Sequence, residues 1–269
     1  MTRNGHPAGP HINANCYHDH HLYIFGGQHG YPDEDPDFVE GNNNLLYSLN
    51  LVTLHWKLLE PDTPYAGPLP CEKSLMIGYK HYLYLLGGYG DPPDEYHHIK
   101  PKYEVDPSAS YQWPRAWLGS LSRYNSKSKT WTLLKCSLSP RCGHAGDIMD
   151  HYWIIFGGCG IDGKLNDVQL YDFEVDTWTC LHPGFRPPGL YYLERDIEDA
   201  GLVMNGHKKY PEPRSGHSLT YMGNQRFFLY GGIGMLNTPL NDAWILEVKG
   251  LDIEWIRYEL KYDHGPIRC

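Results

Sequence analysis

The chain alternates between short apolar runs and longer polar stretches, and one kind of run recurs. Four apolar residues followed by two glycines occur four times, at residues 22–27, 83–88, 153–158 and 227–232. Four apolar residues are too few for a buried helix and are typical of a strand that is buried on both faces. A recurring run of this kind predicts a repeat architecture, in which each unit buries its faces against its neighbours.

Further strands follow each glycine pair. A polar loop leads to a second apolar stretch, as at residues 166–172 and 241–246, and a last short strand then carries a tryptophan. These tryptophans are Trp56, Trp131, Trp178 and Trp255. Two units also begin with nearly the same residues, at 140–144 and 213–217. The pattern therefore predicts several strands in each unit and almost no helix.

This pattern resembles the kelch repeat over nearly the whole chain. The resemblance implies an all-β kelch β-propeller with four recognisable four-stranded blades, in one region over residues 1–269. The blades are expected at residues 10–60, 70–136, 139–182 and 212–260, with the start of a further repeat at 265–269. The glycine pairs would let neighbouring backbones approach, and each tryptophan would fill the space between two blades. Four blades would make an incomplete six-bladed propeller, which we expect to be marginally stable or oligomeric because its end blades expose apolar faces.

Three long connections interrupt the repeats, at residues 28–41, 89–115 and 183–212. Loops of this length without secondary structure of their own are usually functional or disordered. We therefore expect binding to involve these three connections.

Composition and charge narrow the range of partners. The 29 glycines, 21 prolines and 22 tyrosines favour many tight turns and short strands. A formal net charge of -9 opposes binding to nucleic acid or anionic lipid, because Lys and Arg supply most of that binding energy. The seven cysteines never have a CxxC spacing, which disfavours a structural zinc site or a disulfide framework. With no apolar signal segment at the start, we expect a cytoplasmic or nuclear protein without a cofactor.

Three stretches carry a closer resemblance within the kelch proteins, namely residues 87–90 with the insert that ends at 114–117, residues 165–167, and residues 214–220. They resemble the kelch-domain-containing substrate receptors of cullin–RING ubiquitin ligases, which capture protein C-termini that typically end in glycine. The resemblance implies substrate recognition by peptide binding. It also implies cullin–RING ligase subunits as partners, through a helical segment that these 269 residues do not include.

The resemblance implies a set of peptide-binding residues. The pocket lysine of that family matches Lys73, the two aromatic positions match Tyr89 and Trp117, and the pocket serine matches Ser215. The two arginines that hold the peptide carboxylate are replaced, because Cys159 and Lys164 stand there. A lysine can still hold a carboxylate as a point charge, but it lacks the planar two-pronged contact of arginine.

Two other classes of function compete with the receptor hypothesis. Some kelch propellers are copper-radical oxidases, and the candidate ligand clusters here are residues 18–21 (His-Asp-His-His) and the weaker pair 97–98. If the first cluster is a strand, His18 and His20 share one side of it. The simpler explanation is surface histidines, and we predict that the chain is not an enzyme. The second alternative is a kelch scaffold that binds a cytoskeletal, GTPase or transcription-related partner without recognising a C-terminus.

Overall fold

The computed structural model of the chain describes residues 12–28, 41–59, 67–94, 101–184, 203–204 and 207–259. The regular secondary structure in these ranges is β-strand, and the strands pair antiparallel. None of the described residues forms a helix that is long and apolar enough to cross a membrane. The chain divides into two compact units, the N-terminal unit (residues 1–142) and the C-terminal unit (residues 143–269). Each unit is described by itself below.

The N-terminal unit contains twelve strands: β1 (Ala14–His18), β2 (His21–Phe25), β3 (Leu46–Asn50), β4 (His55–Leu58), β5 (Cys71–Glu72), β6 (Leu75–Tyr79), β7 (Tyr82–Leu86), β8 (Tyr89–Gly90), β9 (Tyr103–Val105), β10 (Ala116–Leu118), β11 (Leu121–Asn125) and β12 (Thr130–Leu134). They form three four-stranded sheets, ordered β1-β2-β3-β4, β5-β8-β10-β9 and β6-β7-β11-β12. The first and third sheets each contain one of the predicted apolar runs. These runs form β2 and β7, the second strands of their sheets.

The middle sheet corrects one expectation from the sequence. Residues 89–115 were predicted to be a loop, but β8 and β9 lie within this stretch and pair with β10. Strands of two or three residues are too short to show an alternation of apolar and polar positions, so the pattern could not reveal them. We call this small β5-β8-β10-β9 sheet the insertion sheet.

The C-terminal unit contains ten strands: β13 (Ala145–Met149), β14 (Tyr152–Gly160), β15 (Gly163–Asp172), β16 (Thr177–His182), β17 (Val203–Met204), β18 (His207–Lys208), β19 (Ser218–Gly223), β20 (Arg226–Tyr230), β21 (Ala243–Lys249) and β22 (Asp252–Tyr258). Two four-stranded sheets follow the chain order, β13-β14-β15-β16 and β19-β20-β21-β22. Among the described residues, the short strands β17 and β18 form a separate two-stranded sheet. Most of the predicted connection at 183–212 lies outside the described residues, as do residues 29–40 of the first connection.

Two tryptophans of the last strands, Trp131 and Trp255, pack between sheets of the same unit, as the repeat predicts. In the N-terminal unit the Trp131 ring lies 5.6 Å from the Phe25 ring of the preceding blade, centroid to centroid. In the C-terminal unit the Trp255 ring lies 5.0 Å from the Phe156 ring. Both contacts are edge-on, a favoured geometry for aromatic pairs. Each tryptophan therefore joins its own sheet to the core of the one before it.

Candidate functional site

Backbone hydrogen bonds at the end of the apolar run of β7 fix the positions of the candidate residues Tyr89 and Trp117 in the N-terminal unit. The Gly88 amide donates to the Arg141 carbonyl at 2.9 Å, the Arg141 amide donates to the Leu118 carbonyl at 3.1 Å, and the Leu118 amide donates to the Gly88 carbonyl at 2.9 Å. These three bonds form a closed ring. Tyr89 follows Gly88 in the chain, and Trp117 precedes Leu118. The two aromatic residues are therefore neighbours, each directly next to one of these hydrogen-bonded residues.

The C-terminal unit repeats this arrangement. The Gly158 amide donates to the Arg214 carbonyl at 2.9 Å, and the Arg214 amide donates to the Leu165 carbonyl at 3.0 Å. Gly158 and Leu165 are partners in the pairing of β14 with β15. Lys164 precedes Leu165 and Ser215 follows Arg214, so these two predicted residues flank one backbone hydrogen bond. Lys164 thus occupies the position that Trp117 occupies in the N-terminal unit.

The two aromatic residues of the N-terminal unit form a wall. Tyr89 pairs with Trp117 across β8 and β10, and their ring centroids are 5.6 Å apart at an angle of 55°. Trp117 is buried and Tyr89 is half-buried. The Tyr89 hydroxyl donates a hydrogen bond of 2.7 Å to Asp106 Oδ2. Burial, together with this bond, raises the pKa of Tyr89, so its hydroxyl stays protonated at neutral pH.

Two cations lie near the Tyr89 ring. The Lys73 Nζ is 5.8 Å from the ring centroid, and the Arg115 guanidinium carbon is 4.8 Å from it. Both distances are within the range of a cation–π interaction. Glu72, whose side chain is only 5% exposed, pairs with Lys73 at 3.2 Å and with Arg115 at 3.6 Å. One buried carboxylate therefore holds both cations beside the aromatic wall.

Arg115 and Glu72 were not among the residues that sequence reasoning selected. Arg115 belongs to the Pro-Arg-x-Trp end of the insert, which was noted only as evidence of resemblance. Its proximity to Tyr89 depends on the pairing of β8 with β10, which brings together residues 89 and 117. This pairing was found in the insertion sheet of the structure and could not be seen in the sequence.

The backbone of Lys73 has an unusual conformation. Its φ angle is +54°, in the left-handed region that disfavours residues with a Cβ. The Lys73 amide donates to the Ile12 carbonyl at 2.9 Å, which holds the residue in this conformation. The side chain remains 41% exposed. Lys73 is therefore held at its backbone while its side chain stays partly exposed.

Lys164 is less accessible than its predicted role requires. Its side chain is buried, and the ammonium group donates to Asn237 Oδ1 at 2.5 Å. Burial lowers the pKa of Lys164, while the nearby Cys159 and Glu212 oppose this shift. Cys159 lies directly across β14 and β15 from it. A carboxylate ligand in the C-terminal unit would therefore have to replace Asn237 as the partner of the ammonium group.

The histidine cluster does not form a metal site. Residues 18–21 are a hairpin turn and not one strand, because β1 ends at His18 and β2 begins at His21. The condition under which His18 and His20 would share one side of a strand is therefore not met. Among the described residues, no group of three or more His, Cys, Asp or Glu side chains could hold a metal ion. The second candidate pair, residues 97–98, lies outside the described residues.

The sequence profile of the KLHDC2/KLHL20/DRC7 Kelch-repeats domain matches residues 2–189, more than half of the chain. The chain belongs to this kelch-repeat family. The kelch fold that the sequence predicted, with four-stranded antiparallel sheets and no helix among the described residues, is thereby confirmed. Family membership also supports a protein-interaction module, since kelch repeats are generally non-enzymatic interaction domains.

Several relatives match most of the chain. Kelch domain-containing protein 2 of Bos taurus is 26% identical over 258 residues, which are 92% of this chain and 54% of that protein. Kelch domain-containing protein 1 of Homo sapiens is 30% identical over 235 residues, which are 84% of this chain and 50% of that protein. An F-box/kelch-repeat protein of Arabidopsis thaliana is 27% identical over 258 residues, with 91% and 44% covered. The chain thus spans about half the length of the curated relatives that it matches.

Proposed function

We propose that this kelch region binds the C-terminal tail of a partner protein and thereby recognises substrates for a cullin–RING ubiquitin ligase. The observation that carries the proposal is the Tyr89–Trp117 wall with Lys73 and Arg115 beside it. Aromatic faces bind the apolar parts of a peptide, and Lys73, whose side chain is 41% exposed, can attract the terminal carboxylate. We expect the partner in the cytoplasm or nucleus.

Each predicted residue has a distinct role in this proposal. Tyr89 and Trp117 contact the last residues of the tail. In the N-terminal unit, Lys73 is the candidate cation for a peptide carboxylate. In the C-terminal unit, Lys164 is the candidate cation, and the Ser215 hydroxyl would donate a hydrogen bond to a carboxylate. Lys73 is the more accessible cation, since Lys164 is buried against Asn237. Arg115 supports the site through its guanidinium group, which lies 4.8 Å from the centroid of the Tyr89 ring that also contacts Trp117.

The proposal is tested with synthetic peptides that end in glycine and carry either a free carboxylate or an amide. Amidation removes the terminal anion, so we expect it to abolish binding as measured by fluorescence anisotropy. A charge-assisted hydrogen bond contributes about 1.5–3 kcal/mol. Lys164→Ala should therefore weaken the free peptide roughly tenfold or more. Lys164→Arg should preserve or strengthen binding, because arginine restores the two-pronged contact.

A surface lysine of the C-terminal unit provides the matched control. Lys249 is 63% exposed and pairs with Glu247 at 2.8 Å, away from the β14–β15 hairpin in sequence. Lys249→Ala should leave peptide affinity unchanged, which separates a local effect of Lys164 from a general loss of positive charge. Equal binding of the amidated and free peptides would contradict the proposal.

A kelch scaffold without C-terminal recognition is the second candidate. The burial of Lys164 and its bond to Asn237 favour it, because a lysine with an internal partner is a poor receptor for an external anion. Cys159 at an expected arginine position favours it as well. If no C-terminal peptide distinguishes its free and amidated forms, the scaffold becomes the better description of the chain.

A further inference from the structure

Two hairpin turns of the N-terminal unit have counterparts of opposite charge in the C-terminal unit. The β6–β7 turn consists of Lys80 and His81, and the β13–β14 turn consists of Asp150 and His151. The first residue has a φ of +53° in one turn and +58° in the other. In both turns the histidine ring lies 4.0 Å from the ring of the following tyrosine, centroid to centroid. The two turns therefore share one geometry, and the charge of their first residue is reversed.

The next turn in each unit shows the same reversal. At the end of β11 an asparagine Oδ1 accepts the Lys127 amide at 2.9 Å, and at the end of β15 an aspartate Oδ1 accepts the Glu174 amide at 2.8 Å. The last turn residue has a left-handed backbone in both, with a φ of +55° for Lys129 and +53° for Asp176. Equivalent backbone positions thus carry three lysines in one unit and three carboxylates in the other. The turn geometry does not require either charge, since it accepts both signs.

In each unit the two turns lie at the same end of their sheet. The Ser126 hydroxyl donates to the His81 carbonyl at 3.2 Å, and the Phe173 amide donates to the His151 carbonyl at 3.0 Å. We call residues 80–81 and 126–129 the basic turn pair, and residues 150–151 and 173–176 the acidic turn pair. The six charged side chains are exposed, namely Lys80, Lys127, Lys129, Asp150, Glu174 and Asp176.

The charges of the two turn pairs have few partners inside the chain. None of the ion pairs between described residues includes a lysine of the basic turn pair, and none includes Asp150 or Glu174. The Lys80 ammonium lies 5.1 Å from the centroid of the Tyr79 ring, and Asp176 accepts the Tyr171 hydroxyl at 2.7 Å. Exposed charges of this kind are available to a partner of opposite charge.

Two further turns adjoin the basic turn pair. His18 Nε2 lies 2.6 Å from the Lys80 carbonyl oxygen, and the Leu51 amide donates to the His20 carbonyl at 2.9 Å. These contacts join the β1–β2 and β3–β4 turns to the same end of the N-terminal unit. The four turns at this end are all described, and Asp19 is the one carboxylate among their residues. The three lysines therefore set the sign of the charge here.

The cations near the acidic turn pair are already neutralised. Arg226 and Lys249 both pair with Glu247. Asp172, at the end of β15, adds a further carboxylate, 4.0 Å from the histidine of the β13–β14 turn. The acidic turn pair therefore keeps its negative charge.

Exposed aliphatic side chains accompany both turn pairs. Val52 and Leu54, in the β3–β4 turn beside the basic turn pair, are 76% and 72% exposed. Val175, within the acidic turn pair, is 63% exposed. Apolar side chains surrounded by charged groups are typical of a surface that contacts another protein.

We propose that the chain forms a dimer in which the basic turn pair of one copy contacts the acidic turn pair of a second copy. The second copy is the partner that this charge pattern fits, because one chain supplies both signs on matched turns. Opposite charges orient the contact and speed its formation, and the aliphatic side chains at both turn pairs are removed from water. Since each copy has both turn pairs, the contact can form twice in one dimer. The inference does not depend on the binding of a C-terminal tail.

Sedimentation velocity of the full chain tests for the dimer. At concentrations up to roughly 100 μM, a dimer with a Kd in the micromolar range is well populated. Raising the ionic strength from about 0.1 M to about 1 M shortens the Debye length from about 10 Å to about 3 Å, so we expect the Kd to rise roughly tenfold or more. A chain that stays monomeric at the highest concentration would overturn the inference.

Charge reversal identifies the contacting surfaces. One variant combines Lys80→Asp with Lys127→Glu, and the other combines Asp150→Lys with Glu174→Lys. Each substitution introduces the residue type of the equivalent turn in the other unit, so both variants should fold. We expect each variant alone to dimerise at least roughly tenfold more weakly, because like charges then meet. An equimolar mixture of the two variants should dimerise again, since their surfaces are complementary.

Two exposed lysines outside the hairpin turns provide the control. Lys102 precedes β9 and Lys135 follows β12. Lys102→Glu with Lys135→Glu makes the same change in net charge as the first variant and should leave the Kd of the dimer unchanged. Self-association that survives in both reversed variants would overturn the inference and assign the contact to the apolar faces of the end blades. Failure of the mixed variants to dimerise would overturn it as well.

Discussion

Two arginines of the C-terminal unit make ion pairs of the same chemistry in opposite surroundings. Arg214 is fully buried and bonds Asp242 through two oxygens, at 2.6 and 2.9 Å. Two further donors of the Arg214 side chain bond the Glu212 and Gly231 carbonyls. Arg226 is 52% exposed and pairs with Glu247. The sequence alone could not show which pair contributes more to stability, because that contribution depends on burial.

Arg214→Met should destabilise the chain far more than Arg226→Met. Removing one partner of a buried pair leaves Asp242 uncompensated and costs about 3–5 kcal/mol. Loss of an exposed pair usually costs at most ~1 kcal/mol. Urea unfolding measures both variants, and similar losses in the two would show that the burial of Arg214 has no energetic consequence.

His217 should make the stability of the chain depend on pH. Burial, with the Arg214 charge as a smaller cause, lowers the pKa of His217 from 6.5 to about 3 in the folded chain. The unfolded chain therefore binds a proton that the folded chain excludes, so the free energy of unfolding falls as pH decreases between these two values. The slope from this residue should reach about 1.4 kcal/mol per pH unit.

This slope is measured from urea midpoints between pH 7 and 5. His217→Gln should remove this part of the slope, even if it lowers stability overall, because the amide side chain does not titrate. His55 is exposed, so His55→Gln provides a histidine control that should leave the slope in place. An unchanged slope in His217→Gln would contradict the assignment.

At the scale of elements, the glycine pairs join one sheet to the next. The Gly27 amide donates to the Cys71 carbonyl at 2.9 Å, and a Cβ on Gly26 would lie 2.3 Å from the Cys71 carbonyl oxygen. This contact links the sheet of β2 to the insertion sheet. The repeat therefore needs glycine both for its φ angle and for its lack of a side chain.

A matched pair of substitutions separates these two reasons. Gly26 and Gly250 have the same φ of +65°, but nothing lies within 4 Å of a Cβ on Gly250. Gly250→Ala should cost about 1–2 kcal/mol for its left-handed backbone alone. Gly26→Ala should cost a further ~1–3 kcal/mol, because the methyl group meets the Cys71 backbone. If urea unfolding shows the same loss of stability for both substitutions, the Cys71 backbone moves away from the added methyl group without cost.

At the scale of the whole chain, each unit has a hydrophobic cluster of its own. In the described residues one cluster contains Phe25, Leu85 and Trp131, and the other contains Phe156, Phe227 and Trp244. The first lies wholly within residues 1–142 and the second wholly within residues 143–269. Each unit thus buries apolar surface, the main source of stability, in a cluster of its own.

We therefore expect a core substitution to weaken one unit selectively. Phe156→Ala should cost about 3–5 kcal/mol and lower hydrogen-exchange protection in residues 143–259. Phe25→Ala should do the same for the N-terminal unit. Both side chains are fully buried, so the two variants are matched in size and burial. An equal loss of protection in both units after either substitution would show that they unfold together.

The sequence by itself determined the strands that recur. The apolar runs that end in glycine pairs became β2, β7, β14 and β20, and Trp131 and Trp255 became contacts between sheets. Local pattern suffices here, because a run of four apolar residues can bury both faces only as a strand within a stack of repeats. Tyr89 and Trp117 became candidates through the resemblance to the ligase substrate receptors and not through this pattern.

Only the tertiary structure decided how the candidate residues are surrounded. The strand pairing of the insertion sheet brought Arg115 and Glu72 to Tyr89, and the fold buried Lys164 against Asn237, 73 residues away in the chain. These contacts join residues that no local pattern connects. Charge and hydrogen bonding depend on burial and on partners distant in sequence, so the electrostatics of the site follows from the fold and could not be derived from residue types alone.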